Sequence, residues 1–382
     1  MPRVGSTLIE SLERSELRGR GGASFPVGTK WRTVAERRRG DAVVLVNGAE
    51  GEPLSRKDSR LMEARPHLVL DGALLAAQAV GAREIVLYIG AEHAAAAAAL
   101  TRALGQRAEA ERTAMRIVRA PTRYISGEES AAVHFVNNGI ALPTSVPPRP
   151  YERGVAGLPT LVQNVESLAH VALIARFGDQ WFRDGGRGGA TGTALLTLSG
   201  AVDSPGVVEV AQGTTIGDAI TDAGGLPDGT QAVLLGGYFG AWVPAERAWE
   251  LPLDGTGLRR RGLSLGCGVV SVLGAGACGV VQTARFMSYL AGESARQCGP
   301  CVFGLRAMTE AAGRIASGHS EPDDIARLRR WTHLVPGRGA CRHPDGAAGL
   351  LRSALLTFEE EFAEHHHHRR CREAASRLAQ VA

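Results

Sequence analysis

The chain has 382 residues, six cysteines and a formal charge of +4 with acids and bases interspersed. At about 150 residues per domain this length allows two or three separately cored units, and the weak, scattered charge makes no electrostatic case for nucleic acid. No stretch reaches the roughly 18 uninterrupted apolar residues of a membrane helix, and the N-terminus lacks an apolar secretory segment. Direct membrane insertion is therefore not expected and a cytoplasmic, reducing location is, where cysteines read as thiols, metal ligands or small core residues.

In chain order, "TLIESLERSEL" is an amphipathic helix that runs into the loop "RGRGGASFPVG", and "TKWRTVAERRR" leaves that loop as a second helix. Short β-branched runs then alternate with helical stretches: "DAVVLVN", "REIVLYIG" and "MRIVRAP" as strands, "HLVLDGALLAAQAV" and "EHAAAAAALTRAL" as helices. Continuous apolar strands alternating with helices predict a parallel sheet covered on both faces, an α/β domain over residues 1–185. The glycine-rich "RDGGRGGATGT" reads as a linker. Beyond it "ALLTLSGAV", "GVVEV" and "QAVLLGG" read as strands around a helix that Thr215 and Asp218 open with capping-box spacing. They predict a small β-grasp-like module over residues 194–246, followed by buried strand and turn. From 280 to 382 the pattern is helical, a bundle with cysteines on its loops. Ser320 and Asp323 have the same capping spacing, Gly318 is a helix stop, and a basic helical tail follows the four histidines at 365–368.

Five motifs carry chemistry. In "GRGG", Gly19, Gly21 and Gly22 follow a helix rather than a strand, which argues against an ordinary dinucleotide fingerprint. Bare backbone before a helix start, with Arg18, Arg20 and Lys30 nearby, still forms a nest for phosphate or pyrophosphate. "VNGAEGEP", with Asn47, Glu50 and Glu52, follows the first strand, and "YISGEES", with Tyr124, Gly127, Glu128 and Glu129, follows the third. In an open α/β sheet such loops bind ligands, and their acids, glycines and aromatic suit a flavin or nucleotide. "PTLVQNVESL" adds the adjacent amides Gln163 and Asn164, able to cap a helix or bond a ring edge. Finally Cys298 and Cys301, three apart in "ESARQCGPC", and Cys341 in "GRGACRHPDG" look like part of a metal site. Cys267 and Cys278, in apolar Gly-rich sequence, read as buried and inert, and Cys371, in the basic helical tail, as a bystander.

Together these stretches resemble the flavin-binding, NADH-oxidising subunit of respiratory complex I and its relatives in NAD-linked hydrogenases and formate dehydrogenases. The resemblance covers nearly the whole chain. It implies a Rossmann-like FMN domain, a β-grasp-like (SLBB-type) module and a C-terminal helical bundle holding a 4Fe–4S cluster. It also implies an oxidoreductase taking hydride from NAD(P)H to FMN and passing single electrons through the cluster to a partner, either an iron–sulfur or thioredoxin-like subunit or a ferredoxin. By motif, Gly19, Arg20, Gly21, Gly22, Phe25 and Lys30 would meet the cofactors. Asn47, Glu50, Glu52, Tyr124, Gly127, Glu128 and Glu129 would line the flavin and nicotinamide pocket, with Glu52 and Glu129 as catalytic carboxylates. Gln163, Asn164 and Ser167 would complete the phosphate side, and Cys298, Cys301 and Cys341 would ligate the cluster.

The chain departs from the family pattern in places. Ala49 stands where the family has Asp, Thr33 where it has an aromatic, and Val146 and Arg149 where it has Lys and Phe. Ala295 stands where it has the first cluster cysteine. The fourth ligand could then be His343, Cys278 or an exogenous group, or one iron could be lost to leave a 3Fe–4S form. A zinc set of Cys298, Cys301, Cys341 and His343 is the alternative. Two other readings remain open, a non-catalytic FMN-binding subunit and a flavoprotein reduced by ferredoxin.

Overall fold

Four strands, β1 (Ala42–Gly48), β2 (Ala82–Gly90), β3 (Met115–Ala120) and β4 (Thr160–Asn164), pair in parallel in the order β3-β2-β1-β4. The computed structural model in which they lie describes residues 4–38, 40–226, 229–368 and 371. Val43, Val44, Leu45 and Val46 of β1 are all fully buried, because helices cover both faces of the sheet and leave no solvated side for polar residues. The helix Pro66–Val80 opens with proline, whose missing N–H is unneeded there, and stops at Gly81 with φ +67°. It packs on the helix Val165–Phe177 so closely that a Cβ on Gly72 would lie 2.0 Å from the Leu168 carbonyl oxygen.

A second sheet holds β5 (Thr193–Gly200), β6 (Gly206–Ala211), β7 (Thr230–Leu235), β8 (Ala241–Pro244) and β9 (Val269–Gly274), ordered β6-β5-β9-β7-β8. The helix Ile216–Asp222 lies between β6 and β7 in the chain, and the Thr215 hydroxyl accepts from Asp218 N–H (3.0 Å) as its cap. The centre of this sheet is β9, parallel to β5 and antiparallel to β7. The middle unit therefore reaches Gly274, past residue 246, because only a strand from the Gly-rich apolar stretch fills the gap between its two hairpins.

The C-terminal part is helical: Gly279–Gly292, a widened turn at Pro300–Leu305, Arg306–Ala316, Asp324–Leu334, His343–Thr357 and Glu359–His368. Gly318, with φ +75°, follows the third of these, whereas Ser320 does not cap the fourth. Its hydroxyl faces His366, and Asp324 instead accepts from Glu321 N–H. The basic tail expected after the histidines lies, apart from Cys371, outside the described residues. No described helix is long and apolar enough to cross a membrane.

Gly72→Ala is expected to destabilise the protein by about 1–3 kcal/mol, since the methyl meets backbone rather than a movable side chain. Denaturant unfolding of wild type and variant checks it, and an unchanged midpoint would contradict the packing.

Candidate functional site

The glycine loop is closed by backbone bonds from Gly19 N–H to Phe25 O and from Val27 N–H to Leu17 O, both 2.9 Å. Gly21 lies against β4, where its Cβ would sit 3.2 Å from that of Asn164. Gly22 has φ +104° and no atom within 4 Å of where a Cβ would be, so bare backbone faces open space. Phe25 is half exposed at the rim. Lys30 Nζ stands 3.4 Å from Glu129, whose carboxylate also has Arg149 at 3.9 Å. An open glycine cradle with a cation, a carboxylate and an exposed ring fits a phosphate-bearing heteroaromatic such as FMN. A cleft of about 580 Å³ borders the loop on its Arg18 side, between the linker 187–191 and the loop 252–257. None of Asn47, Glu50, Glu52, Tyr124, Glu128 or Glu129 lines it.

The loops after β1 and β3 meet at glycines. A Cβ on Gly51 would lie 2.9 Å from Tyr124 O, and one on Gly127 the same distance from Ala49 O. Asn47 ties the two loops together, its amide donating to Gly127 O at 2.9 Å. Several residues expected to face a ligand are committed to the frame instead. Glu50 accepts from Asp58 N–H and Ser59 N–H (both 3.0 Å) and from two serine hydroxyls, so it caps the helix Lys57–Ala64. Glu128 caps the helix Glu129–Asn138 through Ser130 N–H and Ala131 N–H. Asn164 caps the helix Val165–Phe177 and donates to Asp58 at 2.7 Å. Gln163 accepts from the indole of Trp31, and the Ser167 hydroxyl accepts from Arg20 N–H.

Glu52 is buried between the units. It accepts from Tyr238 N–H (2.8 Å), Leu54 N–H (3.3 Å) and the Tyr124 hydroxyl (3.2 Å). Burial outweighs these three donors and lifts its carboxyl to about 7. Next to it lies a charge cluster absent from the expected site. Lys57 Nζ is 2.6 Å from Asp58 and 2.8 Å from Glu166, with the Lys57 side chain only 2% exposed. Burial lowers the ammonium's proton affinity, but Asp58, Glu166 and Glu50 outweigh it and hold Lys57 charged. Glu166, despite burial, is held down to about 2 by Lys57, His170 and Arg20. The available signal was a lysine opening a helix, where the macrodipole disfavours positive charge unless anions surround it.

The three cysteines of the expected cluster come together. Cys301 is buried, and its thiol is pushed up to about 12, first by burial and then by Cys298 and Cys341. The loop before them docks on the β3 loop: Tyr124 N–H donates to Glu293 (2.9 Å) and Arg123 to Ser294 O (3.2 Å). Three thiols set beside the strand-end loops suit an iron–sulfur group on the flavin side. Ala295 leaves no cysteine at the fourth position. His343 is buried with Nε2 donating to Leu290 O (2.7 Å), its ring edge-on to Tyr124 and Phe239, and Nδ1 without a partner. Cys278 is not the missing ligand. It sits at the far end of the helix Gly279–Gly292, beside Glu361 and His365. Cys267 lies next to Glu52 and donates to Gly236 O (3.4 Å), with its thiol pushed well above the usual value by burial, as expected of an inert thiol.

Residues 12–173 match the Nuo51 FMN-binding domain, residues 195–237 the SLBB domain, and residues 281–365 the NADH-ubiquinone oxidoreductase-F iron–sulfur binding region. One NADH-quinone oxidoreductase chain of Rhizobium meliloti (strain 1021) is 33% identical over 378 residues, which cover 95% of this chain and 90% of that one. The corresponding NADH-quinone oxidoreductase chain of Escherichia coli (strain K12) is 31% identical over 377 residues, covering 93% and 83%. Among solved structures, an NAD+-reducing NiFe-hydrogenase in the air-oxidized state superposes with a TM-score of 0.87 at 30% identity. That match covers 95% of this chain and spans 64% of the hydrogenase chain's length.

Lys57→Met should destabilise by about 3–5 kcal/mol, since it strands two buried carboxylates; denaturant unfolding measures it. Glu52 has a folded value near 7 against an ordinary 4.5. Its contribution to stability is therefore complete below about pH 4.5 and lost as pH rises through about 7. Relative to wild type, Glu52→Gln is expected to gain stability between about pH 5 and about pH 8. Parallel stability profiles for the two proteins would contradict that titration.

Proposed function

The chain belongs to the NADH-quinone oxidoreductase family whose members carry the Nuo51 FMN-binding domain, and from that membership we propose that it oxidises NADH through FMN and an iron–sulfur cluster within a multisubunit assembly. The observation that carries this reading is the meeting of three things at one edge of the parallel sheet: the open glycine loop, the Lys30–Glu129 pair and the docked cysteine loop. A flavin unit over 1–185, a middle unit carried to Gly274 and a bundle from about 280 agree with it. We assign the delivery of electrons to an iron–sulfur or thioredoxin-like partner subunit, or a ferredoxin, in a cytoplasmic location.

What bound FMN supplies is the exchange of a hydride pair for single electrons, and what the iron–sulfur group supplies is acceptance of one electron at a time. The chain's own part is placement and charge. Gly19, Gly21 and Gly22 offer backbone N–H groups and close approach to a phosphate, and Lys30 adds a cation. Phe25 offers a face to a ring. Glu129, bracketed by Lys30 and Arg149, is the carboxylate open to the nicotinamide side, while Glu52, whose oxygens accept from Tyr238, Leu54 and Tyr124, would act there through the loops it holds. Tyr124, Asn47 and Gly127 fix the loops between which the rings would lie. Arg20, Glu50, Glu128, Gln163, Asn164 and Ser167 act by positioning, because their polar atoms are taken by helix ends and neighbouring elements. Cys298, Cys301 and Cys341 would hold the cluster, with a ligand other than cysteine at the place of Ala295.

The test is an anaerobic absorption spectrum of the FMN-loaded, cluster-reconstituted protein before and after NADH. Bleaching of the flavin bands together with a fall in the iron–sulfur shoulder is expected. Cys301→Ser should keep the flavin bleaching and lose the shoulder. Glu52→Ala should slow NADH oxidation while leaving FMN content unchanged. Flavin bands indifferent to NADH would overturn the reading, and reduction by ferredoxin would then separate a ferredoxin-fed flavoprotein from a non-catalytic subunit.

A further inference from the structure

A second group of metal-competent side chains lies outside the site described above. It stands at the start of the helix Gly279–Gly292, whose 14 residues put about 21 Å between it and the loop that carries Cys298 and Cys301. Cys278 caps this helix, and its Sγ lies 3.3 Å from His365 Nε2 and 3.5 Å from Glu361 Oε2. Cys278, His365 and Cys371 bring their ligand atoms within 4.8 Å of one another.

The surroundings orient these ligands. His365 Nδ1 lies 3.2 Å from the Ile315 carbonyl. A hydrogen bond to that acceptor makes Nδ1 the protonated nitrogen and turns the Nε2 lone pair toward the sulfurs. Glu361 is held by Gly279 N–H at 3.0 Å. In a tetrahedral zinc site, Zn–S near 2.3 Å and Zn–N or Zn–O near 2.0 Å separate the ligand atoms by roughly 3.5 Å, which the two distances to Cys278 match. Cys278, Glu361 and His365 are 2%, 5% and 2% exposed, so a carboxylate is packed against thiol and imidazole away from water. A cation among them removes the penalty of that burial.

We propose that Cys278, His365 and Cys371, with Glu361 turning in from beside Cys278 as the fourth ligand, bind a structural zinc ion that clamps the helix Glu359–His368 onto the start of the helix Gly279–Gly292. Sulfur and imidazole ligands select zinc over magnesium or calcium, and four protein ligands make a closed site with no position for a substrate. Binding releases two thiol protons to solvent as two zinc–thiolate bonds form. No electrons move.

Zinc is to be measured on the untagged full chain, purified without a metal-affinity step and dialysed. About one zinc per chain is expected. It should be retained in Cys298→Ser and in the combined His366→Ala, His367→Ala, His368→Ala variant, and lost in Cys371→Ser and His365→Ala. Zinc-edge X-ray absorption should show two sulfur and two lighter ligands. Because a variant could fail to fold, thiol alkylation of wild type gives a second readout: Cys278 and Cys371 should be protected until a chelator is added. Zinc-free protein after zinc loading and dialysis would overturn the proposal. So would zinc that departs with His366–His368 or with Cys298, or a Cys278–Cys371 disulfide in anaerobic preparations.

Discussion

The buried ammonium of Lys57 is the interaction on which the junction of the flavin unit and the middle unit depends. It is bracketed by Asp58 and Glu166, and each of those carboxylates reaches further. Asp58 accepts from Asn164 at the end of β4, and Glu166 accepts from Leu195 N–H on β5. Arg20, in the glycine loop, donates to Thr193 O and lies 3.7 Å from Glu166. One charge network therefore ties the glycine loop, two strand ends and the second sheet. Buried charges tolerate only well-matched partners, so the network holds the loop at β4 with little freedom. Close backbone approach to a cofactor requires that rigidity.

Tyr124 makes the corresponding link to the helical bundle. Its backbone N–H donates to Glu293, its hydroxyl to Glu52, and its ring packs against Phe239, Tyr289 and His343. Glu52 in turn accepts from Tyr238 of the middle unit. Three units thus share one aromatic and one carboxylate, at the edge where the flavin motifs and the cysteine loop face each other. A carboxyl near neutrality at this point joins the packing of the units to pH.

The cysteines divide by environment. Cys298, Cys301 and Cys341 gather beside the strand-end loops, while Cys278 and Cys371 meet His365 at the other end of a helix. The two groups have different chemistry around them. The first groups three thiols, with the charges of Glu128 and Asp345 acting on Cys341 and an alanine where a fourth thiol would stand. The second mixes sulfur, imidazole and carboxylate, with a carbonyl orienting the ring.

Alternating apolar runs, the glycine loop and the cysteine spacing are local, so the parallel sheet and the order of units were legible in the sequence. Strand and helix periods are written by neighbouring residues, and motif loops are contiguous. What only the tertiary structure decided is where each polar side chain is used. Glu50, Glu128 and Asn164 look like ligand contacts in their motifs, yet each faces the N–H groups of a helix start, because an uncapped helix end buried there would be unsatisfied. Lys57 drew no chemistry from its own stretch of sequence, and its partner Glu166 lies over a hundred residues away on another helix. β9 became the centre of the second sheet because two hairpins needed a strand between them. Cys278 and His365 are 87 residues apart, and no spacing rule joins them. Distant charges and ligands find one another through packing, and packing belongs to the folded chain rather than to any window of its sequence.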